Sequence, residues 1–275
     1  MHRAQPYKSV QYNMACYASH DGVSSHIKRT SSWEPTLTHA VADVLIKRNA
    51  SSRSAKMLDI GGNIGWFSLL GAAFGAMVTT FEPNAMNRWL IAHTLCTNKD
   101  KFPGQVQVLP YGAGSRDKEC AMVSPRSNFG DTMVLCGNIT QELARWNEWG
   151  SPRGFIYETR GMLQIRRVDS YVNKHIDVVK VDIEGYEPEA LRGMEQIFNR
   201  KRLPELVVSE FQPSILKSNG FDALKYLNFF SSRGYTIAVA TGRSLKTVGR
   251  NEVEASKWLQ ETRWEQSYDL VMRQA

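Results

Sequence analysis

Met57-Leu58-Asp59-Ile60-Gly61-Gly62-Asn63-Ile64-Gly65-Trp66-Phe67-Ser68-Leu69 reads as a buried strand, a tight glycine turn and the start of a helix. Gly61, Gly62 and Gly65 let the backbone bend sharply and let a ligand come close, where a Cβ would intrude. A phosphate loop aims backbone N–H groups and a helix N-terminus at negative charge. Here Asp59 closes the strand just before the glycines, and Glu82 ends the next expected strand, Thr79-Thr80-Phe81-Glu82-Pro83-Asn84. Two carboxylates beside the loop repel a pyrophosphate, although Glu82 suits a ribose diol. They fit a ligand with an ammonium group, a ribose and no phosphate, and S-adenosylmethionine is such a ligand.

Outward from this loop the chain alternates strand and helix. Leu37, Ala40, Val41, Val44 and Leu45 recur at helical spacing after Trp33-Glu34-Pro35, and proline suits a first helical turn. Residues 1–32 are polar and aperiodic, which predicts a partly disordered or loosely packed cover. A polar linker spans 49–54. The first core helix should run to about Phe74 with Gly75 as its cap. A strand over 76–82, a helix over 85–97 ended by Asn98, and a strand over 106–110 follow. This order implies parallel strands joined by right-handed crossovers.

The periodicity weakens over 115–174. Short strands are expected at 120–123, 154–158 and 163–168, with a short helix at 141–146. This stretch is too short and polar for a core of its own, so it reads as a β-rich insertion over the sheet. Regular order resumes with strands at 178–182, 206–211, 235–240 and 268–273, and with helices after Gly185, over 221–233 and around 252–260. The domain reading is an N-terminal cover segment and helix over 1–54, then one α/β domain over 55–275 carrying the insertion.

The 275 residues are 42% apolar and 22% charged, ordinary for a globular domain with a full core. The net charge of +7 is accounted for by a solvated basic surface and also permits an anionic partner. Cys16, Cys96, Cys120 and Cys136 lack C-x-x-C spacing, which argues against a zinc site or a disulfide framework and fits a reducing compartment. There is no apolar signal core. The longest apolar run, 65–78, is interrupted and below the roughly 20 residues that span a bilayer. The expectation is a cytoplasmic protein with no membrane partner.

Ligands of open α/β sheets bind beyond the carboxyl ends of the strands, where the strand order reverses. That rule gathers Asp59, Gly61, Gly62, Asn63 and Gly65 from strand one, Glu82 and Asn84 from strand two and Gly112 from strand three. It adds Asp182, Glu184 and Glu210 from the later strands. The first group would hold a cofactor and the second would face a substrate. Glu82 serves a nicotinamide cofactor as well as S-adenosylmethionine. The loop discriminates, because Asn63 stands where G-x-G-x-x-G requires its second glycine.

These residues resemble the FkbM-type methyltransferases. The resemblance rests on Leu58 to Gly65, Phe81-Glu82-Pro83-Asn84, Asn98, and above all Val179-Lys180-Val181-Asp182-Ile183-Glu184-Gly185-Tyr186-Glu187, with Leu191-Arg192-Gly193 and Glu210 beyond. It covers roughly residues 55–240. It implies a class I methyltransferase fold, Rossmann-like, with a mostly parallel seven-stranded sheet and helices on both faces. It also implies S-adenosylmethionine as cofactor and O-methylation of a sugar, glycan or related metabolite. The main resemblance adds Asn98 to the cofactor residues, and Asp21 to Ser25 and Trp33-Glu34 resemble an upstream element of some members that covers the cofactor, which adds Glu34. Gly62 stands where alanine is more usual, and the insertion matches no family pattern.

A hydroxyl acceptor needs positioning and loss of its proton. Asp182 and Glu184 are the candidates for holding the acceptor and removing that proton. Pairing of Asp182 with Lys180, and loop ordering by Glu184, are the structural alternatives. Lys180, Glu210 and His26 are the substrate-side candidates. A divalent metal held by the same acids is a further route, but no ligand spacing singles it out and none is predicted. Trp146 and Trp149 are placed to stack on a sugar or to anchor the insertion.

The expected partner is a small-molecule or glycan acceptor. An RNA or protein methyltransferase is the alternative enzyme; the charge allows it, but no nucleic-acid module or RNP-type motif is present. A non-catalytic cofactor-binding scaffold is the other alternative, against which Asp59, Glu82, Asp182 and Glu184 together weigh.

Overall fold

The N-terminal 32 residues are ordered, contrary to the sequence expectation. In the computed structural model, which describes residues 1–50, 54–130, 132–242 and 244–274 without the side chains of Trp149 and Arg153, β1 (His2–Tyr7) and β2 (Val10–Met14) form an antiparallel hairpin. Ala4, Tyr12 and Met14 are buried, so the hairpin has one apolar face, too short to register as a period. Helix α1 (Gly22–Thr30) follows, capped by Asp21, whose carboxylate accepts the Ser24 N–H at 2.6 Å. Helix α2 (Pro35–Asn49) begins with its proline in the first turn and buries Leu37, Val41, Val44 and Leu45. The expected linker at 49–54 and the stacking reading of Trp149 lie wholly or partly outside the described residues.

The next elements are β3 (Lys56–Ile60), α3 (Trp66–Ala73), β4 (Met77–Phe81), α4 (Ala85–Thr97) and β5 (Gln105–Leu109). The bounds of α4 follow from its caps. The Asn84 side chain accepts the Met86 N–H at 2.9 Å, and Asn98 closes the last turn.

Just before the insertion lies β6 (Gly112–Ala113), and the insertion contains β7 (Lys118–Pro125), β8 (Met133–Leu135), α5 (Ile139–Gly150) and β9 (Tyr157–Arg166). They form a second sheet in the order β6-β9-β7-β8. The strands expected at 154–158 and 163–168 are one strand, β9, with a register shift against β7 and Gly161 at φ +115°. That is a bulge, and its glycine interrupts the sequence pattern. The register of β7 on β8 sets Ala121 opposite Leu135, which puts Cys120 beside Cys136. They are disulfide-bonded, with Cα atoms 4.6 Å apart. This corrects the reading of the cysteines as unpaired and, with it, their support for a reducing compartment.

Then come β10 (Val178–Val181), α6 (Glu187–Gly193), α7 (Glu195–Phe198), β11 (Leu206–Phe211), α8 (Pro213–Ser218), α9 (Ala223–Ser231), β12 (Tyr235–Thr241), β13 (Ser244–Gly249), α10 (Glu252–Glu261) and β14 (Tyr268–Gln274). The main sheet has eight strands in the order β13-β12-β14-β11-β10-β3-β4-β5. Its block from β11 to β5 is parallel, while β14 and β13 pair antiparallel. The sheet is therefore one strand larger and more mixed than the expected seven. Strand β13 escapes sequence reading because its first four residues are exposed.

Alternation along the central strands feeds two cores. Leu58, Ile60, Val179, Val181 and Phe211 pack with α6, α7 and α9 on one face. Met57, Val178, Leu206 and Val208 pack with α2 and α3 on the other. Among the described residues no helix is long and apolar enough to cross a membrane.

Candidate functional site

Strand β3 has β4 on one side and β10 on the other, so the strand order reverses at β3 and opens a crevice at its carboxyl end. The glycine loop sits there. The Gly61 and Gly62 N–H groups both donate to the Phe81 carbonyl, at 3.0 and 3.2 Å. Gly61 has φ +79°, and a Cβ on it would lie 2.0 Å from the Asp182 carbonyl oxygen. One on Gly62 would lie 2.3 Å from Thr80 Cγ2. The protein's own packing thus demands these two glycines before any ligand does.

Glu82 organises the loop from the neighbouring strand. Its carboxylate accepts the Asn63 N–H at 2.7 Å on one oxygen and the Asn84 N–H at 2.8 Å on the other. The carboxylate has about four acceptor sites, some of which the two amides and the Asn87 side chain occupy, and Glu82 lines a cavity of about 380 Å³, within the range of small-molecule sites. Burial pushes its pKa up to about 7, against the pull of the two amides, the Asn87 side chain and Lys180.

The opposite wall is acidic. Asp182, Glu184 and Glu210 bring one oxygen each within 4.8 Å of one another, and Glu34 joins them as a lining residue. Burial, then Asp182 and Glu187, push Glu210 up to about 8. Burial, Asp182 and Asp269 hold Glu34 well above the usual carboxyl range. Among the described lining residues Lys180 is the one cation. Its ammonium donates to the Gly61 carbonyl at 2.7 Å and pairs with Asp182 at 3.2 Å and Asp59 at 3.8 Å. Burial opposes its charge, but Asp182, Asp59 and Glu34 outweigh that and hold its pKa above the ordinary lysine value. Oxygen-only donors at this spacing suit a hard divalent cation.

The turn after β10 is held by Glu187, whose buried carboxylate accepts the Ile183 and Gly185 N–H groups at 3.0 and 3.1 Å. Within it Glu184 has φ +56°, a left-handed conformation that costs energy for a residue with a Cβ. The cost is spent on aiming Glu184 into the cavity it lines.

Raised carboxyl pKa values have a consequence for stability. A carboxyl that binds its proton more tightly in the folded state is stabilising at low pH, and that stability is lost as pH rises toward the folded value. Glu82 and Glu187 stand at about 7 and Glu210 at about 8. Between pH 7 and 8.5 the ligand-free, chelator-treated protein should therefore lose roughly 1–2 kcal/mol, or about 2–6 °C of Tm. A Tm that is flat or rising in that window, measured by calorimetry, would show that these acids are already ionised.

Two segments remote in sequence complete the rim. Gly22, Val23, Trp33 and Glu34 line one side. Met122, Asn128, Gly130, Thr132, Val134 and Ile165 of the insertion line the other. They meet where the Gly22 N–H donates to Asn128 Oδ1 at 3.0 Å and the Phe129 N–H donates to the His20 carbonyl at 2.7 Å.

A family model for the methyltransferase FkbM domain matches residues 59–237. The chain belongs to the FkbM methyltransferase family. Among solved structures, a methyltransferase FkbM from Methylobacillus flagellatus KT is similar at 18% identity and a TM-score of 0.46, over 80% of this chain and 43% of its own. This chain thus spans under half the length of that protein. An rRNA methylase from Streptococcus thermophilus is similar at 10% identity and a TM-score of 0.45, over 86% of this chain and 95% of its own. A ribosomal protein L11 methylase from Lactobacillus delbrueckii subsp. bulgaricus is similar at 9% identity and a TM-score of 0.44, over the full length of both. A comparison with curated proteins finds no significant match.

In this FkbM family member the cavity is lined by Glu34, Gly61, Gly62, Asn63, Glu82, Gly112, Lys180, Asp182, Glu184 and Glu210. Asp59, Gly65, Asn84, Asn98 and His26 do not line it, for identifiable reasons. Asp59 is fully buried behind the loop, accepting from Ser68 Oγ at 2.5 Å. Gly65 starts α3 and abuts Ile91, Asn84 caps α4, and Asn98 ties α4 to the hairpin by bonding both backbone groups of Asn13. His26 packs edge-on against Trp33, 5.4 Å between rings, and reaches the cavity only through it. Sequence reasoning assigned no role to Glu187, although the family run contains it. It had no means of finding Asn128, Gly130 and Thr132, small polar residues with no periodicity. Trp146 packs on Tyr157 at 5.5 Å, a contact within the insertion itself.

Proposed function

We propose that this chain is an S-adenosylmethionine-dependent O-methyltransferase acting on a hydroxyl of a sugar, glycan or related metabolite. The observation that carries the reading is one cavity with a diol acceptor, Glu82, on one wall and three converging carboxylates, Asp182, Glu184 and Glu210, on the other. Five lining carboxyl groups, three of them with raised pKa values, face one ammonium; they can ionise in response to a ligand bearing sulfonium and ammonium charges and disfavour the pyrophosphate of a nicotinamide cofactor. The cofactor supplies a methyl group on a cationic sulfur; the O–CH₃ bond forms as the S–CH₃ bond breaks.

The chain's own residues do the rest. Glu82 binds and orients through its remaining acceptor capacity, and the glycine loop fixes the depth of the ligand. Asp182, held by Lys180, orients the acceptor hydroxyl, and Glu184 removes its proton as the oxygen is alkylated. A second reading has support in the 4.8 Å convergence of the three acids: they hold a divalent cation that acidifies the hydroxyl instead.

The test is methyl transfer from labelled cofactor to sugar hydroxyls, with and without chelator. Glu184→Gln should lower turnover by about 10²–10⁴-fold while cofactor affinity, by calorimetry, stays within about threefold. Loss of transfer on chelation, restored by magnesium, selects the metal reading. Tight binding of NAD and none of S-adenosylmethionine, or transfer confined to RNA or protein acceptors, overturns the proposal.

A further inference from the structure

A second cavity, of about 470 Å³, adjoins the first and shares Val134 and Tyr186 with it. Its electrostatics are the reverse of its neighbour's. Arg116 and Lys118, from the start of the insertion, and Arg145, from α5, line it together with Glu142 and Glu189. Both acids are already engaged. Glu142 pairs with Arg145 at 3.4 Å. Glu189 accepts from Ser115 Oγ and pairs with Arg192, each at 2.5 Å; these contacts outweigh burial and lower its pKa. Arg116 makes no hydrogen bond or ion pair among the described residues. Lys118 hydrogen-bonds a neutral partner, with its ammonium against the Tyr186 hydroxyl and 5.1 Å from the centre of that ring. Arg116 is left without a carboxylate, and Lys118 makes no ion pair, although its charge reaches Glu189 and helps to lower that acid's pKa.

We infer that this second cavity is an acceptor subsite that takes an anionic group, so that the substrate of the proposed methyl transfer is an acidic sugar. The inference rests on the function proposed above. The shared wall decides the orientation. Tyr186 is two residues from Glu184, so a substrate spanning both cavities has one end at the carboxylates and the other at Arg116 and Lys118. An anionic group is repelled from the first cavity and drawn into the second, which presents the opposite, hydroxyl-bearing end to Glu184. Phe221 and Tyr186, with ring centres 6.2 Å apart, supply apolar faces for a sugar ring between the two charged ends. A neutral sugar leaves Arg116 and Lys118 unused. A nucleic acid would bring further phosphates toward the acidic cavity.

Calorimetry with the full chain saturated in S-adenosylhomocysteine tests this by binding alone. The probes are methyl glucuronide, methyl glucoside, methyl glucoside 6-sulfate and a short single-stranded RNA. Wild-type protein should bind the glucuronide or the sulfate at least tenfold tighter than the neutral glucoside, the stronger of the two identifying the anion. Arg116→Ala/Lys118→Met should erase that preference without changing affinity for S-adenosylhomocysteine. Equal binding of charged and neutral sugars, or a preference unaffected by the double substitution, overturns the subsite. RNA bound tighter than every sugar, and lost in the same variant, overturns the acidic-sugar assignment. The underlying activity fails separately: an anionic preference in binding with no methyl transfer to any sugar hydroxyl leaves the subsite and removes the proposed reaction.

Discussion

Lys180→Met is expected to lower the unfolding free energy by about 3–5 kcal/mol, a drop in Tm on the order of 10 °C for a chain of this size. Asp59 is fully buried, and its second oxygen has no hydrogen-bond donor; Lys180, 3.8 Å away, is its counter-charge. The same ammonium holds Asp182 and ties the Gly61 carbonyl to β10. Methionine fills the volume and leaves a buried carboxylate uncompensated, the costly half of breaking a buried ion pair. Asp59→Asn combined with Lys180→Met should recover most of the loss, because the orphaned charge goes with its partner. Chemical denaturation of both variants decides the matter. A loss below about 1 kcal/mol in the single variant would mean that water, not Lys180, solvates Asp59.

Glu82→Ala should weaken S-adenosylmethionine binding by at least about 100-fold, the worth of two hydrogen bonds to a charged group at about 1.5–3 kcal/mol each. The substitution removes the proposed diol acceptor and also frees the Asn63 and Asn84 N–H groups that Glu82 fixes. Glu82→Gln separates the two effects. Its amide oxygen can still accept one of these N–H groups, so about a tenfold loss is expected, mainly from the missing charge. Titration calorimetry at pH 8, where the wild-type acid is mostly ionised given its pKa of about 7, is the appropriate measurement. Affinity within threefold of wild type for the alanine variant would remove Glu82 from the site.

The parts of this structure that could be read from the sequence are those with a local physical signature. Helix α4 was legible at its C-terminal end because Asn98 stops it, while the capping role of Asn84 emerges only in the structure. The convergence of Asp182, Glu184 and Glu210 was reachable through the rule about carboxyl ends of strands, since each lies at or just beyond the end of a parallel strand. What depends on the pairing of distant segments could not be reached that way. The Cys120–Cys136 bond exists because of the register of β7 on β8, which no spacing rule encodes. Asp59 stood out as an acid beside the glycine loop, but that it faces Lys180 and not the cavity follows from two strands lying side by side. The wall contributed by Asn128, Gly130 and Thr132 has neither charge nor period to announce it.

The position of β14 bears on how the chain can be made. Residues 268–274 lie inside the sheet, between β11 and β12, although almost the whole chain precedes them. As the polypeptide leaves the ribosome from its N-terminus, β11 and β12 emerge first and have no common partner. The β11 edge, with Val207 and Val208 fully buried in the finished protein, stays open meanwhile, an exposed template of the kind that invites pairing with another nascent chain. The sheet closes only when this late segment threads into the waiting slot, antiparallel to both neighbours. The same slot means that the stretch matched by the family, 59–237, is not a unit that can be cut out and expected to fold, because its own central sheet would lack a strand.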